Sequence, residues 1–121
     1  MGSLDWIPII CATIGRNDPG RRYVGNRLPT LRRSLDEWVA AQDAYRNAIQ
    51  SQNPSLTVRR KLDVFTILVT KEIALLNIAV SKIELWCRGG RDSSLNQAQQ
   101  AYAQSQLLWK RRMALVRDNI P

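Results

Sequence analysis

Residues 53–88 read NPSLTVRRKLDVFTILVTKEIALLNIAVSKIELWCR, and this stretch decides the fold. After Pro54 it holds no proline or glycine until Gly89-Gly90, a run long enough for one helix of many turns. Asn53 is placed to cap its start with a side-chain oxygen, and Pro54 suits the first helical position, where a missing N–H costs nothing. Gly89-Gly90 supplies the stop. Projected at 3.6 residues per turn, Arg59, Asp63, Thr66, Thr70, Asn77, Ser81 and Glu84 share one narrow polar strip. Leu62, Phe65, Leu68, Val69, Ile73, Leu75, Leu76, Ala79, Val80, Ile83, Trp86 and Cys87 cover most of the remainder. One neighbour cannot cover so wide an apolar arc, so the stretch is expected to be the central rod of a bundle.

Two flanking stretches supply its partners. Thr30 to Gln52 carries Leu31, Leu35, Trp38, Gln42, Tyr45 and Ile49 in alternating steps of four and three, with Gln42 the single polar member. Arg32 with Asp36 and Arg33 with Glu37 are spaced for pairs one helical turn apart. From about Ser94 to Asp118, Leu95, Ala98, Tyr102, Ser105, Trp109, Met113 and Val116 mark another buried side. Ser94 with Gln97 has the spacing of a capping box. Asn96, Gln97, Gln99, Gln100, Gln104 and Gln106 give this helix an uncharged outer face suited to protein contact.

The expected fold is therefore all-α: an antiparallel bundle of three long helices, a single domain over residues 30–121. Residues 1–29 precede it as an apolar arm and an Arg/Gly-rich loop. In the arm, Trp6, Ile7, Ile9, Ile10 and Ile14 surround Pro8, and their β-branched content favours an extended segment. The arm can supply a fourth short element. Arg16 to Pro29 reads as the main loop, with Asp18-Pro19-Gly20 as its turn.

The chain has 121 residues, 45% of them apolar, so it can bury a core. Its net charge is +8, carried by 14 arginines and 4 lysines, which together make the 18 basic residues. That surplus favours an acidic partner, and arginine's planar fork suits phosphate. Histidine is absent, and neither Cys11 nor Cys87 stands in a metal-ligand spacing. No nucleophile is paired with a base and no glycine-rich loop has a phosphate-cradling pattern. No enzyme, cofactor or metal is expected. The cysteines read as free thiols, consistent with an intracellular location in cytoplasm or nucleus. No segment reads as transmembrane, because Lys71 and Glu72 interrupt the most apolar window, Val64 to Val80.

The basic residues form the candidate site. They are Arg16, Arg21, Arg22 and Arg27 of the loop, Arg32 and Arg33, Arg59-Arg60-Lys61, Arg88 and Arg91, and Lys110-Arg111-Arg112. In an up-down-up bundle, Arg59-Arg60-Lys61 and Lys110-Arg111-Arg112 should share one pole, and the loop arginines with Arg88 and Arg91 the other. Tyr23 lies among the loop arginines, where it can stack on a base or anchor the loop. No helix-turn-helix, zinc-finger or aromatic-strand signature is present, so contact would be to phosphate rather than base edges.

These features point to a non-enzymatic nucleic-acid-binding protein, RNA favoured over DNA, that forms a homo-oligomer. By analogy this is the kind of compact basic bundle a viral nucleocapsid, coat or accessory protein can be. The alternative is a helical interaction module that oligomerises or docks on a partner protein through its heptad seam, Gln-rich face or apolar arm, its basic charge serving only to steer; an acidic protein is a separate candidate partner. Two further expectations concern single residues. Glu72 falls inside the apolar arc and needs a cation from a neighbouring helix. Trp109 falls on the apolar stripe and belongs to the core.

Overall fold

The computed structural model describes residues 3–13 and 18–119, and all regular structure among them is helical. A single 3-10 turn, Ser3–Asp5, leads into α1 (Trp6–Thr13), followed by α2 (Asp18–Gly25), α3 (Leu28–Gln50), α4 (Leu56–Cys87) and α5 (Ser93–Asn119). The last three are the long rods, of 23, 32 and 27 residues. They alternate in direction. Arg32 meets Glu84 while Tyr45 meets Phe65, so the end of α3 lies against the start of α4. Leu115 and Val116 of α5 likewise pack with Leu62, Phe65 and Val69 of α4.

The boundaries of α4 follow from local chemistry. Its N-cap is Ser55, whose hydroxyl accepts the Val58 N–H at 3.2 Å. Asn53 instead takes the left-handed conformation, φ 50°, in the turn leaving α3, a role asparagine tolerates. The helix thus starts two residues later than the Asn53-Pro54 reading placed it. The other end stops at the glycine pair, as the sequence suggests. Gly89 has φ 96°, its N–H reaches the Trp86 carbonyl at 3.1 Å, and the Gly90 N–H reaches Leu85 at 3.0 Å. Those two bonds make a Schellman motif. At α5, Ser94 lies inside the helix rather than capping it; its N–H reaches the Arg91 carbonyl, and the Asp92 carbonyl accepts the Leu95 and Asn96 amides.

The N-terminal segment departs from its expectation. Trp6–Thr13 is helical, and Ile7, Ile10 and Cys11 bury one face of it against α5 and the rest of the main core. Pro8 falls in the first turn, where no intrahelical amide is needed. Burial of an i, i+3, i+4 triad outweighs the mild strand preference of β-branched residues. Most of the expected loop is also helical: α2 starts at Asp18, and its Val24 is 1% exposed.

Two apolar clusters fill the bundle. The larger joins Ile7, Ile10, Cys11, Val24, Leu31 and Leu35 to Leu76–Trp86 of α4 and to Leu95, Ala98 and Ala101 of α5. The smaller comprises Ile49, Leu62, Phe65 and Val69. A polar layer lies between them. Arg112 donates from Nε to Glu72 at 2.7 Å, from Nη2 to the same carboxylate at 3.2 Å, and from Nη1 to Gln42 at 2.8 Å. This ion pair is the partner Glu72 required, and Gln42, the polar member of the α3 seam, completes it. Neither cysteine is in a disulfide; Cys11 is buried and Cys87 half-buried.

Only one side of α4 is covered. By length and composition it is long and apolar enough to cross a membrane, one 18-residue window reaching a mean hydropathy of 1.7 with Lys71 and Glu72 in it. Nine of its side chains, Glu72 among them, are nevertheless buried against the other helices. α4 is the rod on which α2, α3 and α5 all pack, as expected, but its opposite face remains open and the rod is not enclosed.

Candidate protein and nucleic-acid interfaces

The bundle sorts the basic residues into three groups. The first is committed to the fold. Arg112 is 3% exposed and locked to Glu72, so it is withdrawn from any solvent-facing site. Arg21 donates to the carbonyls of Trp86 at 2.6 Å and Gly90 at 2.9 Å, lies 5.0 Å over the Trp86 ring, and faces Asp92 at 3.8 Å. It clamps α2 onto the α4–α5 turn. Arg32 pairs with Glu84 and donates to Asn77 at 3.0 Å, crossing to α4 instead of pairing with Asp36 along its own helix. Arg27 is held less tightly, 3.6 Å over the half-exposed Tyr23 ring. Arg16 lies outside the described residues.

The second group is exposed at one end. Arg22 is exposed on α2, and Arg88 and Arg91 bracket the Gly89-Gly90 turn nearby. Arg21, Arg22, Asn26 and Cys87 line a shallow cavity here. Arg33 is exposed on the outer side of α3. None of Arg22, Arg33, Arg88 and Arg91 has a carboxylate within 4.0 Å among the described residues. The third group is divided. Arg59 and Arg60 line a cavity with Gln50, Asn53 and Asp63 at the far end. Lys110 and Arg111 do not join them there. Because Arg112 is level with Glu72, Lys110 is level with residue 74, roughly 20 Å along α4 from Lys61. The expected shared pole therefore does not form: the buried ion pair sets the register of α5 against α4 and carries Lys110 and Arg111 to mid-bundle.

That position adjoins the open side of α4. Val64, Ile67, Lys71, Ala74, Ile78, Ser81 and Leu85 are all exposed and step by three and four, a heptad-type strip opposite the buried face. Its large apolar members are about half exposed, from 46% at Ile78 to 56% at Ile67. Beside it runs a groove of about 520 Å³ lined by Leu75, Gln104, Leu107, Leu108 and Arg111. The cations on this side are Lys71, Lys82 and Arg111. From Ser93 to Arg117 α5 has no acidic residue, Glu72 is buried, Glu84 is paired on the α3 side, and Asp63 is the exposed acid of α4, at the N-terminal end of the strip beside Arg59 and Arg60. The apolar arc read from the sequence includes none of Val64, Ile67, Ala74, Ile78 and Leu85, and its polar strip includes Ser81, so the sequence reading missed this second apolar face; only the placement of α3 and α5 shows that it stays open.

A further cavity, of about 650 Å³, opens between the N-terminal turn, α3 and α5. Trp38, Tyr102 and Trp109 line it together with Asp5 and Glu37. Trp109 is 41% exposed and not part of the core, correcting its assignment from the apolar stripe. No sequence signal groups these residues, because they come from separate elements.

Burial raises the Cys87 thiol above its ordinary value, with Arg21 opposing and Glu84 adding. Burial likewise raises the Tyr45 hydroxyl, with Arg112 opposing, and the Tyr102 hydroxyl, which Asp5 raises further. Among the described residues no group of three His, Cys, Asp or Glu side chains could hold a metal ion. Comparison with known protein families, curated proteins and solved structures returns no match.

Proposed function

We propose that the protein is a non-enzymatic helical docking module whose open α4–α5 face receives a helix from an acidic protein partner. The observation that carries this reading is the exposed strip Val64, Ile67, Ala74, Ile78 and Leu85. Apolar side chains at heptad spacing with no partner match the helix-in-groove mode of recognition. From Val64 to Leu85 the strip is about 32 Å long, the length of a partner helix of roughly 20 residues. Lys71, Lys82 and Arg111 make its centre and its α5 side basic, with Asp63 the one exposed acid at its N-terminal end. A second copy brought to this face across a twofold axis would meet the same cations, whereas Asp or Glu beside an apolar stripe would complement them.

The probe is a synthetic helical peptide with leucine at the heptad core positions and glutamate on the flanks, with a lysine-flanked peptide as control. Calorimetry should show binding of the acidic peptide alone, lost in Ile67→Asp/Ile78→Asp. Equal binding of both peptides, or of neither, refutes the reading. So does a stable dimer dissolved by the same double substitution, or binding of phosphatidylserine vesicles in preference to the peptide.

A second reading rests on the exposed cations Arg22, Arg88 and Arg91 at the glycine turn, with Arg33, Arg59, Arg60, Lys61, Lys110 and Arg111. These could contact a nucleic-acid backbone, RNA in particular, without reading bases. Affinity for a labelled RNA would then fall steeply with log salt, and Arg22→Gln/Arg88→Gln/Arg91→Gln would lower both the affinity and the slope. Flat salt dependence, or no loss in that variant, removes this reading.

A further inference from the structure

We propose that the cavity between the N-terminal turn, α3 and α5 binds an organic cation of the alkylammonium class. Its volume, about 650 Å³, lies within the usual size of small-ligand sites. Its walls are aromatic: Trp38 from α3, and Tyr102 and Trp109 from α5. Among the described residues none of these three rings stacks on another. Buried Arg112 lies 5.6 Å from the Trp38 ring centre, beneath the cavity. Trp109, 41% exposed, is a large aromatic surface left open at the mouth.

The charge around these rings is opposite in sign to the protein as a whole. In a chain of net charge +8, two carboxylates, Asp5 and Glu37, line this one cavity. Asp5 accepts from the Tyr102 hydroxyl at 3.4 Å, a neutral donor that leaves its charge uncompensated. Glu37 has no cation within 4.0 Å among the described residues, and the Arg33 pairing that its spacing suggests does not form. Glu72 also borders the cavity, but Arg112 neutralises it. Aromatic faces carry the negative end of a quadrupole and attract a cation placed over them. A poorly hydrated ammonium with an apolar shell suits a cavity lined by aromatic surface and two carboxylates. An anion would be repelled by the two carboxylates, and a neutral ligand of the same shape would lack the charge attraction.

The same chemistry can arrive as a free small amine or as a methylated lysine side chain of another protein. Three probes separate the possibilities: choline, its uncharged isostere 3,3-dimethylbutan-1-ol, and a short peptide containing trimethyl-lysine. Binding to the full chain is followed by calorimetry and by tryptophan fluorescence. Choline should bind about tenfold more tightly than the alcohol, the size of a cation–aromatic preference in a partly desolvated site. Trp109→Ala should abolish that preference with helicity unchanged, since this ring is at the surface. Glu37→Gln should weaken choline several-fold and leave the alcohol unaffected. A peptide that binds more tightly than choline identifies a protein side chain as the ligand, and the reverse order identifies a free amine. Equal binding of choline and the alcohol, or no response to choline or the peptide, overturns the proposal. Retention of the preference in Trp109→Ala also overturns it.

Discussion

Replacing Arg112 with methionine should be among the most destabilising single changes in this protein. The side chain is 3% exposed and its carboxylate partner 1%. It makes three charge-assisted hydrogen bonds, two to Glu72 and one to Gln42. Methionine fills much of the volume but offers no donor, so the Glu72 carboxylate would stay buried between two apolar clusters without a counter-charge. Removing one member of such a pair costs about 3–5 kcal/mol. Against a total of roughly 6–18 kcal/mol for a chain of this length, that is a large share. Urea unfolding followed by circular dichroism and tryptophan fluorescence measures it. A second variant isolates the cause. Replacing all three polar groups, Glu72→Met/Arg112→Leu/Gln42→Leu, removes the unpaired charge along with the pair and should recover most of the loss, because buried ion pairs barely offset their own desolvation. If Arg112→Met costs under about 1 kcal/mol, or if the triple variant is no more stable than the single one, the pair does not hold the layer as described.

Other expectations follow from the same geometry. Ala at Gly90 would bring its Cβ to 2.7 Å from the Leu85 carbonyl oxygen, and Ala at Gly89 would sit at φ 96°. Each should cost on the order of 1–3 kcal/mol in thermal or urea unfolding, and a neutral result at both would deny the Schellman stop. Ser55→Ala removes a cap on an exposed turn and should cost about 1 kcal/mol. Ile67→Asp/Ile78→Asp should leave stability within about 0.5 kcal/mol per site, since both side chains point outward; substantial unfolding would mean that face is covered. Burial raises the Cys87, Tyr45 and Tyr102 groups above their ordinary values of 9.0, 10.0 and 10.0. A raised folded-state pKa favours the protonated form, so this stability is complete below pH 9 and declines as pH rises from there, first through Cys87 and then through the tyrosines. Urea midpoints measured from pH 8 to 11 should fall, with the earliest part of the fall absent in Cys87→Ala; a flat profile would contradict the burial of these groups.

The long helices were legible from residue order alone, because 3.6-residue periodicity and glycine or proline boundaries act within a single segment. Gly89-Gly90 marks the end of α4 through its own backbone freedom, and Glu72 announces by its place on an apolar arc that a cation must come to it. The short helices were not legible in the same way. α1 and α2 have eight residues each, too few to form on propensity, and they are helical because Ile7, Ile10, Cys11 and Val24 find a core to enter.

The candidate sites depended still more on packing. Lys110, Arg111 and Arg112 are one basic triplet in the sequence, yet adjacent helical residues point about 100° apart. One cation of the three, Arg112, therefore meets Glu72 and disappears into the bundle, while its neighbours face solvent at mid-height. The apolar arc of α4 read from the sequence is the side the bundle buries, whereas the open strip of Val64, Ile67, Ala74, Ile78 and Leu85 lies outside that arc and emerges only in the assembled helices. Periodicity describes each helix separately; which face another helix occupies is set by the register and angle of both, and no local residue pattern contains that information.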